Sequence, residues 1–211
     1  MDAMTSATLL GFAATCLVIE LTPGPNMAYL AVLSADRGRR AGLAATFGIA
    51  LGLLAVGLAA ALGLAAAVSS SRLLYEGLRW AGTLYLLYLA WEAWRGEDDG
   101  TPEQADPSLQ DARYFARGLV TNLLNPKAAL FYVAVLPTFL DDTRPLASQA
   151  VTLSLVYVAI ATAVHTSIVL LADRARGWLL DERRSSSVRR AMAVLLGAIA
   201  LWLFATTRQT A

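Results

Sequence analysis

The stretch ELTPGPN, Glu20 to Asn26, interrupts an apolar run that extends from about residue 7 to about residue 34. Pro23 and Pro25 remove two backbone donors, and their rings clash with the preceding helical turn. Gly24 allows the backbone to leave helical geometry. At membrane depth such a break is tolerated only where it is packed in protein or lines a polar cavity. The sequence therefore predicts a broken membrane helix with a site at the break, beside the carboxylate of Glu20.

The composition places this break in an all-α integral membrane protein. Of the 211 residues 57% are hydrophobic and 16% are charged, whereas about a quarter are charged in a soluble domain. The net charge of +1 leaves no general basic surface for nucleic acid. A single cysteine, Cys16, allows no intrachain disulfide. The first apolar run lacks a basic n-region and is too long for a signal peptide, so we expect no cleavage.

Six apolar segments predict six transmembrane helices, since roughly 20 residues cross a bilayer. They lie at about residues 7–34, 41–68, 73–94, 115–140, 146–172 and 189–207. Their richness in Ala, Gly and Leu favours closely packed helices over a barrel. We expect Gly48, Gly52 and Gly57 to permit such close helix contact.

The arginines predict the orientation of these helices. Twelve of them lie between the first and second, the third and fourth, or the fifth and sixth segments or at the start of the next segment, which places them on one side of the membrane. The remaining four belong to the opposite side: Arg72, Arg79, Arg144 and Arg208. Because positive charge marks the cytoplasmic side, both termini are predicted outside the inner (cell) membrane.

A second break is predicted in the fourth segment, at Asn125-Pro126-Lys127. Asn125 suits an N-cap and Pro126 the first helical position, so a half-helix begins here with Lys127 in its first turn. The half-helices that start at the two breaks would face each other across the midplane. Their N-termini present free N–H groups that can bind a small carboxylate.

The two breaks also define an internal repeat. Pro126 follows Pro25 by 101 residues, and the same offset lays the second segment over the fifth. Two units of three helices must have opposite orientations in the membrane. Such an inverted repeat, with helices 1 and 4 broken, is typical of secondary transporters. We expect a single transporter domain, with one repeat at about 1–95, a cytoplasmic linker at about 96–112 and a second repeat at about 113–211.

The residues at the breaks are the candidates for substrate binding or coupling. They are Glu20, Thr22, Pro23, Gly24, Pro25, Asn26, Asn122, Asn125, Pro126 and Lys127. The prolines create the site, and the asparagines either bind substrate or cap exposed backbone.

An ionised acid in mid-membrane usually faces a cavity or a partner. Glu20 can carry protons, accept a substrate ammonium, or form an ion pair with Lys127 that holds the two breaks together. Lys127 can bind the substrate carboxylate, snorkel, or stay neutral where it is buried.

Three further residues, Tyr85, Tyr88 and His165, can line the cavity, with helix packing as the alternative for each. One histidine and one cysteine are too few for the usual four-ligand metal site, so no metal is predicted. There is no Walker-type glycine loop, so neither a cofactor nor ATP drive is expected.

The chain resembles the LysE/RhtB family of amino-acid exporters over nearly its whole length. The resemblance is carried by Thr22-Pro23-Gly24-Pro25-Asn26, by Gly42, Gly48 and Gly52, by Gly82 to Leu89, and most strongly by Gly118, Asn122, Asn125-Pro126-Lys127, Phe131, Pro137 and Phe139. It implies export of amino acids from the cytoplasm, driven by the proton gradient. Substrates associated with the family are lysine, arginine, threonine, homoserine and leucine. Glu20 lies outside the family pattern, so its role rests on its position alone.

The sequence therefore predicts an exporter of amino acids or similar small zwitterions that exchanges them for protons by alternating access. One alternative is an exporter or channel for another small solute or ion. A weaker alternative is an intramembrane enzyme, for which Cys16 and His165 are the candidate residues. Whether the chain forms a homo-oligomer stays open.

Overall fold

A computed structural model describes residues 6–61, 71–95, 107–141, 143–179 and 185–206. These parts are helical, and the helices are α1 (Ser6–Leu21), α2 (Pro25–Arg37), α3 (Arg39–Ala61), α4 (Arg72–Arg95), α5 (Pro107–Leu123), α6 (Pro126–Leu130), α7 (Leu146–Leu179) and α8 (Ser185–Thr206). Most of the predicted linker, residues 96–106, and the end of the second predicted segment, residues 62–68, lie outside the described residues.

The first predicted break is confirmed. Helices α1 and α2 meet at an angle of 58° across three non-helical residues. Gly24 is the N-cap of α2 in an extended conformation, and Pro25 is the first helical residue. Proline suits that position because its N–H would have no partner there.

The second break is confirmed at the predicted residues. Asn125 is the N-cap of α6, and its side-chain oxygen accepts a hydrogen bond of 3.0 Å from the backbone N–H of Lys127. The bend here is 51°. Beyond α6 the helix widens to a π-helical turn at Phe131–Val135 and narrows to a 3₁₀ turn at Leu136–Phe139. Pro137 in this stretch cannot donate a helical hydrogen bond, which accounts for the loss of α geometry.

Two helices are each long and apolar enough to cross a membrane: Arg39–Ala61 and Leu146–Arg176. Each bent pair also passes this test as one span, so length and composition support up to four spans in the described part of the chain. The apolar part of α8, Arg190–Trp202, is shorter. Helix α4 carries five charged residues and is not among the spans. The structure therefore supports a multi-pass membrane protein, while six spans in an inverted repeat stay a prediction.

Helix α3 lies at the centre and packs mainly on α5 and α7, while α4 packs on α8. Glycines make the α3–α5 contact so close that backbones touch. A Cβ at Gly48 would lie 2.0 Å from the carbonyl oxygen of Phe115, and a Cβ at Gly118 would lie 2.1 Å from that of Ala45. A Cβ at Gly52 or Gly57 would also collide with a neighbouring helix. The predicted role of the α3 glycines is confirmed.

Replacing either contact glycine by alanine should destabilise the protein, because a methyl group cannot fit against fixed backbone. We expect Gly48→Ala and Gly118→Ala each to lower the free energy of unfolding by about 1–3 kcal/mol or more. Thermal unfolding of the purified protein in detergent would measure this. Gly77→Ala is the control, since no atom lies within 4 Å of a Cβ at Gly77. Equal melting temperatures for all three variants would contradict the packing described above.

Candidate functional site

The side chain of Lys127 joins the two helix breaks. Its Nζ donates a hydrogen bond of 2.7 Å to the carbonyl oxygen of Thr22. That carbonyl follows the last turn of α1, where the helix offers it no partner. The alkyl part of Lys127 passes Gly24 so closely that a Cβ there would lie 3.2 Å from Lys127 Cδ. The glycine at this position therefore makes room for the lysine.

Two buried asparagines form a second link between the breaks. Asn26, at the start of α2, donates from Nδ2 to Oδ1 of Asn122, in the last turn of α5, at 2.9 Å. Asn26 Oδ1 and Asn122 Nδ2 have no hydrogen-bond partner among the described residues. The pair therefore offers one free acceptor and one free donor at the meeting point of the two broken helices.

Glu20 is buried, with only 4% of its surface exposed, and its partners come from α7. The hydroxyl of Tyr157 donates to Glu20 Oε1 at 2.7 Å. His165 Nε2 lies 3.3 Å from Glu20 Oε2, a distance that makes an ion pair when the ring is protonated. Tyr157 and His165 are eight residues apart, so both project from the same face of α7 toward the carboxylate.

The hypothesis of a direct Glu20–Lys127 ion pair is not met in this structure, in which both residues are described. Lys127 Nζ is hydrogen-bonded to the carbonyl of Thr22, and the basic side chain beside the Glu20 carboxylate is that of His165, at 3.3 Å. The two charges lie on the wall of one cavity without touching. The carboxylate of Glu20 and the ammonium of Lys127 are therefore each available to a different charged group of one bound molecule.

A cavity of about 230 Å³ lies between these groups, and we call it the break cavity. It is lined by Glu20, Gly24, Asn26, Met27, Asn125, Lys127, Ala128, Tyr157 and His165. Four more of the predicted residues do not line it: Thr22 and Asn122 are hydrogen-bonded to its lining residues Lys127 and Asn26, and Pro25 and Pro126 line a neighbouring cavity. Pro23 is exposed at the break itself.

A second cavity, of about 440 Å³, lies on the other side of Asn125 and Lys127. Tyr85, Thr83 and Arg79 line it, so the lining role predicted for Tyr85 matches this cavity. Tyr88 is 53% exposed, stacks on Tyr85 and lines none of the cavities described here.

Arg79 was counted above with the positive charges of one membrane side, but only 4% of its surface is exposed. Its Nη1 pairs with Glu76, one turn earlier on α4, at 2.6 Å. Its Nε and Nη2 donate to the carbonyl oxygen of Phe204 at 3.0 and 2.7 Å. Arg79 therefore ties α4 to the end of α8. The i,i+3 spacing of Glu76 and Arg79 inside an apolar segment was the signal for this buried pair.

Tyr157 is a site residue that sequence reasoning missed. An isolated tyrosine in an apolar helix gives little sign that its hydroxyl meets a buried acid. Its spacing of eight residues from His165 was the available clue.

Among the residues that the structure describes, no group of three or more His, Cys, Asp or Glu side chains could hold a metal ion.

Two apolar helices long enough to span a membrane, two bent helix pairs that pass the same test and a buried acid beside one break are typical of a membrane transporter. The family model for the LysE type translocator matches residues 17–207. The chain belongs to this family, which confirms the resemblance seen in the sequence. Because these proteins are translocators, the expectation of a transporter rather than an enzyme is also confirmed.

Relatives cover almost the whole chain. A homoserine/homoserine lactone efflux protein from Salmonella typhimurium is 27% identical over 199 residues, which are 93% of this chain and 97% of that protein. A similar efflux protein from Salmonella typhi is 26% identical over the same share. An uncharacterized membrane protein from Vibrio cholerae is 28% identical over 90% of this chain and 91% of its own length. No solved structure matches the chain.

Removing one member of the asparagine pair should cost stability, because the other amide is left buried without a partner. We expect Asn26→Ala or Asn122→Ala to lower the free energy of unfolding by about 1–3 kcal/mol. The double variant should lose less than the sum of the two single losses, since both amides are then absent. Thermal unfolding of the wild type, the two single variants and the double variant measures these losses as a double-mutant cycle. Strictly additive losses would show that the two asparagines do not interact.

Proposed function

We propose that this chain is a secondary transporter that exports amino acids or similar small zwitterions from the cytoplasm in exchange for protons. The observation that carries the proposal is the break cavity, in which an acid and a base lie on one wall without pairing with each other. A zwitterion has the matching charges. Such a site at broken helices is the usual arrangement in secondary transporters.

The contacts of the cavity suggest how a zwitterion binds. Without substrate, Lys127 Nζ donates to the Thr22 carbonyl at 2.7 Å. When the substrate binds, its carboxylate replaces that carbonyl as the acceptor. The amides of the first turn of α2 lie at the same break and favour an anion. The substrate ammonium donates to Glu20 and to the free Oδ1 of Asn26. Each end of the ligand thus meets a group of opposite charge or an unfilled acceptor.

The position of Glu20 supports the proposed proton exchange. A proton and a substrate ammonium compete for one carboxylate, so binding of the proton favours release of the substrate. His165, 3.3 Å from the carboxylate, can accept or supply the proton, and the Tyr157 hydroxyl steadies the ionised acid. Competition of this kind couples outward movement of substrate to inward movement of protons.

Alternating access requires the helix segments around the break cavity to move so that the cavity opens to each side of the membrane in turn. The contacts that join the breaks are few: the Lys127–Thr22 hydrogen bond and the asparagine pair. We propose six membrane spans in two inverted repeats, within one domain of the inner membrane. The clusters of arginine would lie in the cytoplasm and both termini outside.

For the substrate we propose a neutral amino acid with a small polar side chain, such as homoserine. The efflux proteins from the two Salmonella strains carry homoserine in their names. The charges of the break cavity fit this class, because Glu20 and Lys127 balance the two ends of a zwitterion and no further carboxylate lines the cavity for a basic side chain.

The proposal is tested by efflux from cells that lack their own amino-acid exporters and express this chain. Cells are fed dipeptides one at a time, and all free amino acids in the medium are measured with and without an uncoupler. We expect release of neutral amino acids that stops with the uncoupler. Release of no amino acid, with the protein present in the membrane, would reject the proposed substrate class and favour another small solute.

Neutralising the buried acid should abolish coupled export. We expect Glu20→Gln to reduce uncoupler-sensitive efflux at least a hundredfold, because the amide can neither carry a proton nor pair with an ammonium. Asp141→Asn is the control, since that carboxylate is 48% exposed in a loop outside the cavity. Wild-type efflux by Glu20→Gln across the pH range would remove Glu20 from the mechanism.

A further inference from the structure

A third cavity lies where α2, α4 and α5 approach the arginine-rich end of the molecule. It encloses about 500 Å³ of empty space, part of which is open to solvent. It is lined by Tyr29, Val32, Leu33, Asp36, Arg37, Leu89, Glu92, Ala93, Tyr114, Arg117 and Leu196. We call it the Tyr29 cavity. Nothing in the proposed transport cycle so far uses it.

The lining of the Tyr29 cavity carries two acids and two bases. Arg37 Nε donates to Asp36 at 2.9 Å. Arg117 donates to Glu92 Oε1, which also accepts from Arg113 at 2.8 Å. The formal charges of the lining sum to zero. Binding of a zwitterion therefore leaves the net charge of the cavity at zero, and its positive and negative groups each meet side chains of opposite charge.

Two buried polar atoms at this cavity lack partners among the described residues: the hydroxyl of Tyr29 and Oε2 of Glu92. Tyr29 is only 4% exposed. Leaving a buried polar group unsatisfied is unfavourable, so such groups usually meet a ligand or water. A carboxylate oxygen accepts only, and a tyrosine hydroxyl also donates. Together they fit an ammonium group beside a carboxylate.

The Tyr29 cavity and the break cavity lie along one face of α2. Asn26, Tyr29, Leu33 and Asp36 follow the spacing of a single helix face. Asn26 lines the break cavity and the other three line the Tyr29 cavity. At 1.5 Å of rise per residue, Tyr29 lies about 4.5 Å along the helix from Asn26 and Asp36 about 15 Å. The two cavities are therefore neighbours along α2.

We propose that the Tyr29 cavity is a second binding site, which takes the zwitterionic head group of a neutral amino acid before the molecule moves along α2 to the break cavity. The ammonium donates to Glu92 Oε2 and the carboxylate accepts from Tyr29 and Arg37. The ligand class in this inference rests on the proposed function. The site itself rests on the cavity, its charges and its two unfilled polar atoms.

The test measures binding of radiolabelled L-homoserine to the purified full chain in nanodiscs. Glu20→Gln serves as the background, because it weakens the break cavity. We expect residual binding in Glu20→Gln, and an affinity about tenfold lower in Glu20→Gln/Tyr29→Phe, since one hydrogen bond to a charged group is lost. Tyr29→Phe keeps the ring and removes a hydroxyl without partner, so folding should be unaffected.

A second variant, Glu92→Gln in the same background, should weaken the residual binding at least as much, provided thermal unfolding shows it folded. Asp111→Asn is the matched control, because it removes another arginine-paired carboxylate at this end of the molecule, outside the cavity. Residual binding that is absent, or that Tyr29→Phe leaves unchanged, would overturn the second site.

Export by the wild-type chain separates this inference from the proposed function. If amino acids are exported but no Tyr29-dependent binding is found in Glu20→Gln, the second site is wrong and the proposed function stands. If no amino acid is exported but Tyr29-dependent binding of L-homoserine persists, the second site stands and the proposed function is wrong.

Discussion

The hydrogen bond from Lys127 Nζ to the carbonyl of Thr22 is the contact on which the site depends. A helix broken at membrane depth leaves backbone groups without partners, and the bilayer offers no water to satisfy them. In this chain the base from one break satisfies the carbonyl of the other. The first break is tolerated in part because the second break lies beside it, while the second is also satisfied locally by the Asn125 cap. The hydrogen bond between Asn26 and Asn122 joins the same two breaks, where the helices bend by 58° and 51°.

The same arrangement separates the charges of the site. Lys127 Nζ is hydrogen-bonded to a backbone carbonyl, and the side chains that contact the Glu20 carboxylate are Tyr157 and His165 on α7. An acid and a base that do not neutralise each other are costly to bury, and such residues in membranes are commonly functional. The close α3–α5 contact through Gly48 and Gly118 supplies a rigid support around this less regular region. The proposed motion therefore centres on the few hydrogen bonds between the breaks rather than on the tightly packed helices.

Much of this arrangement is local and could be predicted from the sequence. Prolines, Gly24 and the N-cap Asn125 act on their own turn of chain, so both breaks were placed correctly. The small residues of α3 likewise signalled close packing. The partners of Glu20 depend on how α7 is rotated against α1, which no local pattern fixes, so the sequence left a pairing with Lys127 as one of several alternatives. The burial of Arg79 depends on the carbonyl of Phe204 at the end of a distant helix. The six-span count also exceeds what length and composition support for the described helices.

The central claim is that the break cavity opens to each side of the membrane in turn and holds the substrate. Met27 lines this cavity and carries no charge, so Met27→Cys in a Cys16→Ala background reports on it. The measurement is the rate at which a membrane-impermeant thiol reagent, added to either side, modifies this cysteine in the presence and absence of L-homoserine. The account predicts modification from both sides, slowed by the amino acid, with the favoured side changing when the proton gradient is reversed. Modification from one side only, at a rate that neither the amino acid nor the gradient alters, would contradict it.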